Sequence, residues 1–104
     1  MGWMTTPRPH LRATDLDIRH DPERSCFECL VDGLRCVIDY RLIGSVMHID
    51  HTEVPPALEG RGIAAALVRA ALAHAREHGL KINPLCSYVR VYMQRHADTQ
   101  DLRA

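Results

Sequence analysis

The chain has 104 residues, 46% of them hydrophobic, and its 13 Lys and Arg balance 13 Asp and Glu to a formal net charge of zero. That length fits one domain with one modest core. The missing basic excess argues against broad electrostatic binding to nucleic acid. No run approaches the ~18–20 apolar residues that cross a bilayer, and there is no signal-peptide core, so membrane partners are not expected and the expected compartment is cytoplasmic.

Residues 1–14 carry Thr5-Thr6, Pro7 and Pro9 without a period and read as a flexible tail, leaving 15–104 as the domain. Met1-Gly2-Trp3-Met4-Thr5-Thr6 formally fits a myristoylation pattern, which is too short to decide anything. Ser25–Val31 and Leu34–Ile43 read as a β-hairpin turned at Asp32-Gly33, since Asp-Gly supplies the positive φ of a type I′ turn. In that register Phe27 faces Ile38, Cys29 faces Cys36 and Val31 faces Leu34. One face then holds Phe27, Cys29, Val31, Leu34, Cys36, Ile38 and Tyr40, and the other Glu28, Arg35, Asp39 and Arg41. Cys26-x-x-Cys29 lies on a strand, so its thiols point to opposite faces and zinc chelation is not expected. Free thiols are expected at Cys29 and Cys36.

After a turn at Gly44, Ser45–Val54 reads as a third strand stopped by Pro55-Pro56. A helix is expected from about Gly60 to His78, with Ile63, Ala66, Leu67, Ala70 and Ala71 on its buried stripe and Gly79 closing it. Leu80–Leu85 reads as a fourth strand, and Cys86 to about His96 as a last helix. The order is β-β-β-α-β-α, a mixed α/β (α+β) domain whose mostly antiparallel sheet contains one β-α-β crossover with a parallel pair. The histidines are scattered. His74 and His78, four apart on the helix, could bind a metal, but a solvated helix end is their commoner home, and no metal is expected.

The segment Glu59-Gly60-Arg61-Gly62-Ile63-Ala64-Ala65 joins the end of a strand to a helix N-terminus. Free backbone N–H groups and a positive dipole end make such a junction fit for a phosphate-bearing ligand, and Arg61 could add charge. The plainer reading is a chain reversal that uses glycine. The spacing matches neither a dinucleotide fingerprint nor a P-loop.

This loop resembles the acetyl-CoA pyrophosphate loop of the GNAT superfamily of N-acetyltransferases, Gln/Arg-x-x-Gly-x-Gly/Ala. Gly62 and Ala64 match, and Glu59 replaces the first residue. The chain is also similar to a small GNAT-like subfamily through His51-Thr52-Glu53-Val54-Pro55 and Pro84-Leu85-Cys86-Ser87-Tyr88-Val89. The likeness covers about residues 15–102. It implies the compact acyl-CoA N-acyltransferase fold without the usual N-terminal helical segment, and an acceptor site that is open or completed by a protein partner.

The resemblance further implies acetyl-CoA or coenzyme A along Val54 and Glu59–Ala65, and acetyl transfer to an amine. Glu53 could take the proton from an incoming ammonium, with His51 on the same strand face orienting or replacing it. The bland reading of Glu53 is a strand-end charge paired with an arginine. Cys86 opens a helix, where a thiol can become a nucleophile, and the resemblance implies that it lies near the cofactor sulfur. It also reads as a small buried residue at a tight junction. Tyr88 could protonate a leaving thiolate, with core packing as the alternative. A non-catalytic acyl-CoA-binding or regulatory module stays open, as does an interaction domain with no cofactor.

Overall fold

The computed structural model describes residues 16–104, so the expected tail over 1–14 lies outside the described residues. The strands are β1 (Arg19–Asp21), β2 (Cys26–Val31), β3 (Leu34–Ile43), β4 (Val46–Glu53) and β5 (Lys81–Pro84), and the helices are α1 (Ile63–Glu77) and α2 (Ser87–Arg95). One five-stranded sheet runs in the order β1-β2-β3-β4-β5. Its first four strands pair antiparallel, and β5 returns parallel to β4 after α1.

The β2–β3 hairpin has the expected register, Phe27 opposite Ile38, Cys29 opposite Cys36 and Val31 opposite Leu34. Asp32 and Gly33 both take positive φ, 53° and 77°, as this turn demands. Phe27, Cys29, Val31, Cys36, Ile38 and Tyr40 point into the core against Leu67, Val68, Ala71 and Leu72 of α1 and Val89 and Met93 of α2. Leu34, at the turn, stays exposed, and Cys26 and Val37 are buried on the otherwise charged face. The four cysteines are free. Burial, with the facing Cys36, pushes the Cys29 thiol up to about 11, so it stays protonated at neutral pH.

Several elements differ from expectation. β1 was not anticipated, because three residues are too few to display a period. α1 begins at Ile63 rather than Gly60, because Gly60 and Gly62 take left-handed φ of 85° and 78° and cannot sit inside a right-handed helix. A 3₁₀ segment over Ala97–Leu102 follows α2 and buries Leu102 in the core. Arg76 holds it with 2.7 and 3.1 Å bonds to the Asp101 carboxylate.

An aromatic ladder docks β1 on the sheet and on the C-terminal half of α1. His20 stacks on Phe27 at 4.2 Å, meets His74 edge-on at 4.4 Å, and bonds the Tyr40 hydroxyl at 2.6 Å. His74 in turn stacks on His78 at 4.1 Å. Burial first, then repulsion from neighbouring histidines, holds His20 and His74 below their ordinary value of 6.5, against opposing pulls from Asp21 and Glu77. The unfolded chain therefore binds protons more readily at both positions. Their stabilising share is complete above 6.5 and is lost as pH falls below it. Urea unfolding of His74→Phe, which keeps a ring in the stack, should vary less between neutral and mildly acidic pH than the parent does. An equal pH dependence in both proteins would contradict this.

Candidate functional site

The site is built where β4 outruns β5. Parallel pairing ends at Ile49 opposite Pro84, while β4 continues to Glu53 with only β3 beside it. The register against β3 also shifts there. Tyr40 faces Ile49 but Asp39 faces His51, so Asp50 is an extra, unpaired residue, a β-bulge.

The bulge reverses which side chains turn inward. Met47 and Ile49 point into the core, and strict alternation would send His51 and Glu53 after them. Instead Thr52, opposite the core residue Ile38, turns to the helix side, while His51 and Glu53, opposite Asp39 and Val37, turn to the open face. They share that face as expected, with His51 Nε2 3.2 Å from Glu53 Oε1. Both side chains are more than half exposed.

A cavity of about 510 Å³ runs along this free edge of β4. Thr52, Glu53 and Val54 line it from the strand, Leu58, Glu59 and Gly60 from the connection, Gly62, Ile63 and Ala64 from the start of α1, and Tyr88 from α2. Because Thr52 and Glu53 face opposite sides of the sheet and both touch it, the cavity wraps the strand edge. Gly62 is the N-cap of α1 and offers no side chain to the first turn, whose backbone N–H groups have no intrahelical acceptor. With no Lys or Arg on its wall and two carboxylates present, the positive end of this cavity is the helix terminus itself.

Eight of the residues singled out from the sequence meet here: Glu53, Val54, Glu59, Gly60, Gly62, Ile63, Ala64 and Tyr88. Ala65, one residue further into α1, is not on the wall, and neither is Arg61. The Arg61 guanidinium turns to Asp32 of the β2–β3 turn at 3.2 Å, so in this conformation its charge is spent away from the cavity. Cys86 is the N-cap of α2, half-buried and just behind the wall, with its Sγ 3.6 Å from Thr52 Oγ1. Burial, aided by nearby Tyr92 and opposed by Arg69, raises the Tyr88 phenol, which is therefore a proton donor at neutral pH. Thr52 and Leu58 were missed from the sequence. Thr52 could have been found only by locating the bulge, and nothing in the residue pattern marks it.

Among the described residues, Asp21, Cys26 and Glu28 also bring ligand-type atoms within 4.8 Å of one another. That place is taken by Arg35, 2.6 Å from Glu28 Oε1 and 3.8 Å from Cys26 Sγ. No described helix is long and apolar enough to cross a membrane.

Fold and site together define a compact mixed α/β domain with a cleft between a bulged strand and a helix N-terminus. Residues 26–102 match the family model described as GCN5-related N-acetyl-transferase, and the chain belongs to that family. It is similar to Protein NATD1 of Mus musculus, 33% identical over 99 residues, covering 92% of this chain and 90% of that protein. It is also similar to Protein NATD1 of Homo sapiens, 37% identical over 82 residues, covering 76% and 73% of the two chains. A GCN5-like protein from Staphylococcus aureus, solved by NMR in solution, superposes with a TM-score of 0.69 at 30% identity, covering 88% of this chain and 90% of that one.

Deleting Asp50 would remove the bulge and leave Ile49, His51, Thr52 and Glu53 in strict alternation, with Thr52 still turned inward and His51 and Glu53 outward. Were Asp50 an ordinary rung of the ladder, its loss would instead turn every following side chain of β4 to the other face. The deletion should therefore keep a cooperative urea transition with a midpoint near the parent's. Loss of the transition would contradict the bulge assignment.

Proposed function

We propose that the protein binds acetyl-CoA in this cavity and transfers the acetyl group to an amine. The observation that carries the reading is the cavity itself, open along the unpaired edge of β4 and closed at one end by the glycine-rich N-terminus of α1. A pyrophosphate at Glu59–Ala65 would accept hydrogen bonds from backbone N–H groups and sit at the positive end of the helix dipole. The acyl-bearing arm would lie along β4 past Val54, with the thioester near Thr52 and Cys86. Free strand N–H groups there would polarise its carbonyl.

The two faces of β4 divide the work. Glu53, held by His51 on the open face, takes the proton from an ammonium arriving from solvent, and the neutral amine attacks. Tyr88, protonated and on the cavity wall, gives a proton to the leaving coenzyme A thiolate. Cys86 offers a second route, accepting the acyl group before the amine does. The exposed surroundings of Glu53 suit an acceptor whose bulk stays outside the protein, such as a protein amine, as well as a small amine.

Calorimetric titration tests the binding half. Wild-type protein should bind acetyl-CoA at micromolar concentration. Gly62→Val should lose at least tenfold in affinity, because a branched side chain at φ 78° costs about 1–2 kcal/mol in backbone strain and fills the approach to the backbone. Equal affinity in the two proteins would remove the loop from the reading. In an assay with an amine panel, Glu53→Gln should lower kcat about 10²-fold with acetyl-CoA affinity unchanged. Binding without turnover on any amine would instead favour an acyl-CoA-binding or regulatory module.

A further inference from the structure

We infer that Thr52 is a positioning residue for the Cys86 thiol, holding it toward the cavity and stabilising it when it ionises. The idea extends the acyl-transfer reading, and its test does not depend on that reading. The bulge at Asp50 turns Thr52, rather than His51 or Glu53, toward α2. The Cys86 S–H donates to Thr52 Oγ1 at 3.6 Å, and among the described residues no other side-chain hydrogen bond is made by this thiol. Thr52 is on the cavity wall while Cys86 is not, and the bond to Thr52 ties the thiol to that wall.

The cysteine backbone is equally constrained. Its N–H donates to Ile49 O at 2.9 Å, and its carbonyl accepts the first bond of α2 from Arg90 at 3.0 Å. With the main chain pinned at both groups, the thiol's remaining freedom is its χ1 rotation, which the Thr52 bond selects. When the thiol loses its proton the bond reverses. Sγ becomes an acceptor, and the Thr52 hydroxyl, a donor as well as an acceptor, gives its hydrogen to the thiolate. The other cysteines, Cys26, Cys29 and Cys36, are buried, and burial raises each of their thiols.

In the acyl-transfer reading this geometry serves one step. The Cys86 Sγ–carbon bond forms as the thioester carbon–sulfur bond breaks, and the thiol proton leaves with coenzyme A. An amine then displaces Sγ, forming the amide and restoring the thiol.

The test is iodoacetamide alkylation of the full chain, followed at Cys86 by peptide mass spectrometry across pH, for wild type, Thr52→Val and Thr52→Ser. Valine keeps the shape and removes the hydroxyl. Loss of a hydrogen bond to a charged group should shift the alkylation midpoint upward and slow labelling at neutral pH about tenfold. Serine should restore both to within about twofold of wild type. Urea midpoints of the three proteins are recorded alongside, so that slower labelling in a folded valine variant is not mistaken for unfolding. An unchanged or lowered midpoint in Thr52→Val, or failure of serine to restore it, overturns the assignment. A shifted profile in a protein that does not bind acetyl-CoA would leave Thr52 in this role and reject the acetyltransferase reading alone.

Discussion

The carbonyl of Ile49 accepts two backbone hydrogen bonds, from Leu85 at 3.0 Å and from Cys86 at 2.9 Å. It is the last carbonyl of β4 before the bulge, and it fixes the start of α2 to the point where β4 changes direction. β5 stops at Pro84, which has no N–H to continue a ladder. Because the chain is caught at Ile49 and turned into α2, the next residues of β4 have no neighbour on that side. The cavity is the space left by that missing pairing. The bulge fixes what looks into it, with Thr52 on the helix side and Glu53 on the open side.

The other end of the cavity depends on the approach to α1. Pro55 and Pro56 stiffen the exit from β4 into a single 3₁₀ turn, and Leu58 is buried beneath it. Left-handed Gly60 and Gly62 then swing the chain so that α1 begins with its N–H groups over the cavity. The helix is anchored far from there, by Leu67, Val68, Leu72 and Ala75 in the core and by the histidine ladder at its C-terminal half. The terminus that faces the cavity is thus presented by a rigid element, though its own turn has no side-chain cap. A helix whose first turn is left uncapped beside an open cavity is suited to taking its missing acceptors from a ligand.

Much of this was legible in the residue pattern. The hairpin followed from Asp32-Gly33 and the alternation around it, and the β-α-β crossover from a proline stop, an apolar helical stripe and a closing glycine. The loop motif and the strand-end and Cys-Ser-Tyr motifs pointed to the acetyltransferase family. The bulge could not be read, since one extra residue in a strand leaves each side chain locally plausible. That is why Glu53 was expected as the base for an incoming ammonium without any account of Thr52. Arg61 hid its ion pair for a related reason. Its place in the motif suggests a phosphate partner, but Asp32, 29 positions earlier, is near only once the hairpin has folded. The short β1 and the final 3₁₀ segment carry too little pattern to be seen in advance.

The central claim is that the free edge of β4 and the first turn of α1 form one ligand site. The most direct measurement is two-dimensional amide NMR of labelled protein during titration with acetyl-CoA. The account predicts that the largest shifts fall on Thr52, Val54, Gly60, Gly62, Ile63 and Ala64, with β1 and the β2–β3 turn nearly still. Shifts concentrated at β1–β2, or none at millimolar ligand, would contradict it.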